Sequence, residues 1–174
     1  MPSPAPISLF IGRFQPFHTG HLMVLKGMVK LCDKVVIGIG SADAKRSAED
    51  PFTFDERRDM IQRALQDENI IPAFNVNLVP LSDHASDEKW VQHCVETVGD
   101  ISTVWTGRAD VKAAFEKAGI AVKDIKEVPG ISAHEVRRRI QDHESTWREL
   151  VPEAVGDFMD EIRGVERIRE LAGE

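Results

Sequence analysis

Between Gly12 and His21 the sequence GRFQPFHTGH places an arginine, two histidines and two glycines within ten residues. Each of these types suits an anion, phosphate above all. Arginine carries a permanent charge on a planar fork matched to phosphate oxygens. Histidine can donate from a ring nitrogen, and glycine lets backbone N–H groups approach a ligand closely. His18 and His21 are three apart, so at a helix start their rings converge on one side, beside Arg13. A second basic group stands far along the chain in ISAHEVRRRI, residues 131 to 140. Ser132 is a good N-cap and Glu135, three residues on, completes the pattern of a capping box. A helix opened there presents free N–H groups and a positive dipole end. Arg137 can reach an anion held at that terminus. Arg138 and Arg139 have Asp142 and Glu135 four residues away and read as a solvated, salt-bridged face. The isolated His84, His93 and His143 read as surface or hydrogen-bonded structural residues.

These side chains need elements to position them. ISLFIG, residues 7 to 12, is a continuous apolar run of the kind buried on both faces of a parallel sheet. From Gly20 the residues Leu22, Leu25, Met28, Val29 and Cys32 recur at helical spacing, and KVVIGIG then reads as a second buried strand. Strand, helix and strand within about forty residues make a βαβ unit. The alternation continues: a polar loop SADAKRSAEDPFT, a helix over 55–65 opened by TFDER, a strand over 74–81, and a helix over 88–98. After these come a strand STVWTG, a helix closed by Gly119, and a fifth strand IAVKDIKEV. This order predicts a doubly wound α/β fold with a parallel sheet, in which ligands bind outside the carboxyl ends of the strands. After Pro129 the pattern is helical throughout, including the whole of residues 152 to 171. We expect one domain spanning 1–174, with an α/β core over 1–130 and a helical C-terminal part over 131–174.

Composition narrows the function classes. A formal charge of -7 argues against a general nucleic-acid binder, because backbone phosphates require a basic face. No apolar run approaches the roughly 20 residues of a membrane span, so a cytoplasmic protein without a membrane partner is expected. Only Cys32 and Cys94 are present, both in apolar periodic stretches, which suits buried free thiols rather than a disulfide framework. The spacing of His18, His21, Asp83 and His84 fits no common zinc pattern, so no protein-held metal is expected. GIGSA lacks the G-x-G-x-x-G pattern at the first βα turn, which weighs against a plain oxidoreductase. No serine or cysteine nucleophile stands beside a partnered base.

HTGH resembles the (H/T)xGH signature of the nucleotidylyltransferase superfamily, and GRFQPFHTGH resembles the opening of the archaeal-type nicotinamide mononucleotide adenylyltransferases. VVIGIGSA, PFTFDER, the Trp90 region, Thr106–Gly107, SAHEVRRR and the tail LVPEAV…EIRGVERI fall in that family's order and cover nearly the whole chain. The resemblance implies transfer of the adenylyl group of ATP to the 5′-phosphate of nicotinamide mononucleotide, giving NAD and pyrophosphate. It implies His18, His21, Arg13 and Arg137 as the catalytic group. It implies Gly12, Phe14, Gln15, Gly20, Gly40 and Ser41 around the nucleotide, with Gly107, Ile131 and Ser132. Asp83, Asp87 and Trp90 would meet the acceptor, with Trp90 stacking on the pyridine ring. Mg2+ is expected with the triphosphate, held by phosphate and water, and a homo-oligomer, often a hexamer, is implied.

The sequence departs from the family pattern in three places. Glu49 stands where an arginine is usual before the DPF stretch, which leaves Lys45 or Arg46 to make the loop's phosphate contact. Ala133 and His134 replace small hydroxyl residues, and Asp87 replaces an asparagine. A carboxylate at 87 suits a carboxamide NH2 and a cationic pyridinium and repels a nicotinate carboxylate, so the amide substrate is expected to be preferred over the acid. Asp87, Lys89 and Glu49 leave open adenylyl or cytidylyl transfer to another phosphorylated acceptor, such as a flavin or pantetheine phosphate. A non-catalytic dinucleotide sensor also stays open.

Overall fold

The computed structural model describes residues 3–174. Five parallel strands, β1 (Ile7–Gly12), β2 (Lys34–Ile39), β3 (Val76–Pro80), β4 (Ile101–Thr106) and β5 (Ala121–Asp124), form one sheet in the order β3-β2-β1-β4-β5. The helices between them are α1 (Thr19–Leu31), α2 (Phe54–Asp67), α3 (Asp87–Val98) and α4 (Ala109–Lys117). The chain then continues through α5 (Ala133–Gln141), a 3₁₀ segment (Ser145–Leu150), α6 (Glu153–Glu161) and α7 (Gly164–Leu171). This is the doubly wound α/β arrangement expected from the alternation of apolar strands and amphipathic helices.

Successive side chains of a strand point to opposite faces, and the central β1 shows what that does here. Phe10 enters a core shared by α1, α2 and the C-terminal helices, with Ile37, Met60, Val136, Phe158 and Ile168 among its members. Leu9 enters the opposite core, against Val91 and Cys94 of α3 and Phe115 of α4. A strand with both faces covered is apolar at nearly every position, which is why ISLFIG, with only the small Ser8 polar, reads as a run rather than an alternation. The strand order reverses at β1: β2 and β3 build to one side, β4 and β5 to the other. The carboxyl ends of β1, β2 and β4 therefore bound the switch-point crevice where open parallel sheets take their ligands.

Some boundaries differ from expectation. β5 stops at Asp124 because its only neighbour, β4, ends at Thr106, whose carbonyl accepts from the Ile125 N–H at 3.0 Å. β3 begins at Val76, with Phe74 in the preceding turn and exposed. The helical pattern over 152–171 divides into two helices at Arg163, whose φ of 56 is left-handed. α6 packs on α2 while α7 packs on α5, and Gly164 sits so close to the Phe52 ring that a Cβ there would come within 3.0 Å. One straight helix cannot serve both neighbours. Cys94 is buried as expected and its thiol is pushed up to about 12 by burial, whereas Cys32 is only half-buried. Among the described residues no helix is long and apolar enough to cross a membrane.

Candidate active site

Past Gly12 the chain folds under its own strand. Phe14, at a left-handed φ of 53, drives its ring among Phe10, Phe17 and His21. A Cβ at Gly12 would lie 2.8 Å from that ring, so glycine at 12 makes room for a core side chain. Gln15 is buried, and its amide grips both backbone groups of Phe52, donating to the carbonyl at 3.0 Å and accepting from the N–H at 2.9 Å. Phe14 and Gln15 therefore border the crevice with their side chains already engaged, one as core and one as a clamp on the loop before α2.

The two histidines form an imidazole capping box at the start of α1. His18 is the N-cap and accepts from the His21 N–H through Nδ1 at 3.3 Å, while His21 Nδ1 accepts from the His18 N–H at 3.1 Å. The rings stack with centroids 3.5 Å apart. Gly20 is what permits this, since a Cβ there would come within 3.0 Å of the His18 ring. Burial lowers His18 to about 4 and holds His21 well below its ordinary value, with the His18 charge adding to the effect. Both rings are neutral near pH 7, and because both Nδ1 atoms accept, each proton sits on Nε2. The pair is a ready-made set of two uncharged donors.

Arginines surround them. Arg13 reaches the Asp50 carboxylate through Nη2, and its Nε is buried with no partner among the described residues. Arg137 donates from Nη1 to the Gln15 carbonyl at 2.8 Å, which ties α5 to the β1–α1 turn. Ser132 caps α5 through the Glu135 N–H at 3.0 Å. The second half of the expected capping box is missing, because the Glu135 carboxylate pairs with Arg138 and Arg139 instead. Those two arginines form the outward salt-bridged face that their spacing predicts, with Asp142 joined to Arg138 at 2.7 Å.

One arginine escaped the sequence reading. Arg57 of α2 is wholly buried beneath the strand ends, donating to the carbonyls of Arg13 at 2.9 Å, Gly40 at 2.6 Å, Ser41 at 3.2 Å and Thr53 at 3.2 Å. Burial lowers it to about 10, so it stays charged at neutral pH. The signal that marks it is helical phase. Arg57 stands three, four and seven residues before Met60, Ile61 and Ala64, on the stripe that faces the core.

Two clefts open at this edge of the sheet. The larger, about 550 Å³, takes in His18, His21, Gly20, Gly107 and Arg137, with Ile131 and Ser132 on its far wall. Ala133, His134 and Glu49 also border it. The smaller, about 220 Å³, is bordered by Asp83, His84, Asp87 and Trp90, together with Gly40 and Ser41. Gly40 and Ser41 thus fall on the small cleft rather than with the histidines, and the Ser41 hydroxyl donates to Asp83 at 3.0 Å. Trp90 rests edge-on against Phe115 with centroids 5.5 Å apart, half core and half cleft wall. The two clefts share Ile11, Gly12, Arg13 and Arg108.

Lys45 and Arg46 border neither cleft, and Arg46 pairs with Glu56 of α2 at 3.1 Å. His93 accepts from the Ser82 N–H at 3.0 Å and His143 lies against Glu174, structural and surface roles as expected. His84, by contrast, borders the small cleft. Among the described residues no three His, Cys, Asp or Glu side chains are placed together to hold a metal ion.

Comparison with known proteins adds identity to this geometry. Residues 9–139 match the family model described as cytidylyltransferase-like. A Pyrococcus furiosus protein named nicotinamide-nucleotide adenylyltransferase is 40% identical over 166 residues, covering 94% of this chain and 88% of its own. An Archaeoglobus fulgidus protein of the same name is 36% identical over 170 residues, covering 95% and 97%. Among solved structures, a bifunctional NMN adenylyltransferase/ADP ribose pyrophosphatase from Francisella tularensis, complexed with AMP and a Mn ion, superposes with a TM-score of 0.70 at 23% identity. The match covers 95% of this chain and 52% of that one, so the chain spans about half of that protein.

Proposed function

The chain belongs to the cytidylyltransferase-like family, alongside the nicotinamide-nucleotide adenylyltransferases, and from that premise we propose that it transfers the adenylyl group of ATP to the 5′-phosphate of nicotinamide mononucleotide. The observation that carries this reading is the pair of clefts meeting at Gly12 and Arg13, one holding the histidines and Arg137, the other Trp90 and Asp87. ATP occupies the large cleft and the acceptor nucleotide the small one. An oxygen of the acceptor phosphate attacks the α-phosphorus. A new P–O–P linkage forms, the bond from the α-phosphorus to its bridging oxygen breaks, and pyrophosphate leaves with that electron pair.

The nucleophile is already an anion, so the protein need not remove a proton. What the transition state requires is in-line positioning and compensation of charge on the transferring phosphoryl group. The Nε2–H groups of His18 and His21 donate to the α- and β-phosphate oxygens. Being neutral, they do so without the cost of holding a buried imidazolium. Arg137 meets the triphosphate and Arg13 stands where the two substrates join. Magnesium enters as part of the substrate, bound by triphosphate oxygens and water, and neutralises the leaving pyrophosphate.

The acceptor is the amide. Asp83 and Asp87 give the pyridine end of the small cleft a negative lining, which suits a carboxamide and a cationic ring and opposes a carboxylate. Purified chain with magnesium and ATP should release pyrophosphate on addition of nicotinamide mononucleotide, and the NAD formed should be reducible by an alcohol dehydrogenase. Turnover only with CTP, or only with a different phosphorylated acceptor, would overturn the assignment; faster turnover of nicotinate mononucleotide would overturn the amide preference alone. We propose in addition a cytoplasmic homo-oligomer, often a hexamer in the family it resembles, whose subunit number sedimentation velocity measures directly.

A further inference from the structure

Arg108 occupies the N-cap of α4, at the carboxyl end of β4, where a short oxygen-bearing side chain is the favoured choice. Arginine offers no cap bond there and sets a positive charge against the positive end of the helix. Local folding does not explain it. Its position does: Arg108 is one of four residues bordering both clefts, the other three being Ile11, Gly12 and Arg13 of β1 and its turn. Its guanidinium is turned onto Asp110, with Nε to Oδ1 at 3.1 Å and Nη2 to Oδ2 at 2.7 Å. Both side chains are more than half exposed, 58% and 66%, and an exposed pair of this kind is held weakly. Asp110 borders the small cleft only.

We propose that Arg108 is a phosphate-binding residue for the acceptor nucleotide, parked on Asp110 until the acceptor's 5′-phosphate enters the small cleft and draws the guanidinium across. A phosphate monoester carries about −1.5 to −2 charge near pH 7 against the single charge of the carboxylate, and offers more oxygens to the fork. Arg108 then faces Arg13 across the attacking phosphate, one guanidinium from the turn after β4 and one from the turn after β1. The inference rests on the adenylyl-transfer reading of the two clefts and adds to it the residue that recognises the acceptor's phosphate.

Three variants test it: Arg108→Ala, Arg108→Lys and Asp110→Asn, each assayed for KM of both substrates and, by calorimetry without ATP, for binding of nicotinamide mononucleotide. Arg108→Ala should raise the acceptor KM and weaken its binding about tenfold or more while the ATP KM stays within about twofold. Arg108→Lys should recover part of the loss, and Asp110→Asn, which removes the competitor, should tighten acceptor binding. An unchanged acceptor KM in Arg108→Ala, a loss confined to ATP, or an Asp110→Asn defect equal to that of Arg108→Ala would each overturn the proposal. Wild-type protein unable to use nicotinamide mononucleotide would instead overturn the underlying function, so the two failures are told apart.

Discussion

His18 does two jobs with two nitrogens: Nδ1 caps α1 and Nε2–H is free to meet a phosphate. The jobs can be separated. Asparagine is as good an N-cap as any residue but is too short to place a donor where Nε2 stands. His18→Asn should therefore leave the thermal midpoint near that of the wild type while kcat falls about 10²–10³-fold, the usual loss of one transition-state donor. His18→Ala should lose activity and also about 1 kcal/mol of stability as the cap goes. The pH behaviour follows from the same burial. An unfolded histidine takes its proton near pH 6.5, whereas folded His18 resists until about 4, so between those values the unfolded chain binds more protons and stability rises with pH. That stability is fully present above pH 6.5 and is lost as pH falls toward 4, by roughly 3 kcal/mol for His18. Urea midpoints measured from pH 7.5 to 4.5 should fall for the wild type and fall less for His18→Asn; parallel curves would contradict the assignment. Such residues were legible because two histidines around a glycine, after a buried strand, have few other uses. The partner of Arg46 was not, because a long cation chooses among partners that only tertiary structure supplies, and Arg46 finds Glu56.

At the scale of elements, α2 acts as the brace of the crevice. Arg57 joins the ends of β1 and β2 by donating to the Arg13, Gly40 and Ser41 carbonyls. One residue earlier, Glu56 receives Arg167 of α7 at 2.8 Å. Burial raises the Glu56 carboxyl, but the Thr53 N–H and then the Arg167 and Arg46 guanidinium groups outweigh it and hold the carboxyl below its usual value. Arg167 also donates to the Pro51 carbonyl at 3.3 Å, so the last helix and the Gln15–Phe52 clamp fasten the same loop. Lysine at 57 would keep the charge and lose the planar fork, leaving two or more buried carbonyls without a donor. Arg57→Lys is expected to cost about 2–4 kcal/mol, a thermal midpoint lower by roughly 5–15 °C for a chain of this size. The KM of both substrates should rise, because both clefts use residues that Arg57 holds. Differential scanning calorimetry and steady-state kinetics check the two halves separately. The five strands and the helices between them were legible because period and turn residues agree at each. The break at Arg163 was hidden, since it depends on the Phe52 ring arriving from 111 residues earlier in the chain.

Across the whole molecule, a chain of net charge -7 binds anions only by concentrating its cations at one edge of the sheet, where Arg13, Arg108 and Arg137 gather. The C-terminal helices help to make that edge. α5 supplies Arg137, while Val136, Phe158, Met159 and Ile168 belong to the same core as Phe10 of the central strand. Substrate binding is therefore coupled to the stability of the molecule as a unit, and the coupling can be read as heat resistance. On the proposed reading a mononucleotide would fill one cleft, whereas the dinucleotide product would span both across the shared Gly12 and Arg13. At one shared concentration, a ligand present at its Kd adds only about 0.4 kcal/mol of stability, while one present at 100 times its Kd adds about 2.7 kcal/mol. For a chain of this length the second case corresponds to a rise of roughly 5–10 °C in the thermal midpoint, the first to one or two at most. NAD should accordingly stabilise the protein more than AMP or nicotinamide mononucleotide at equal millimolar concentration. It should also exceed the two mononucleotides together, since joining them converts the second contact into an intramolecular one. Thermal unfolding with each ligand decides it: if AMP alone matched NAD, the small cleft would contribute nothing to dinucleotide binding and the two clefts would not be halves of one site.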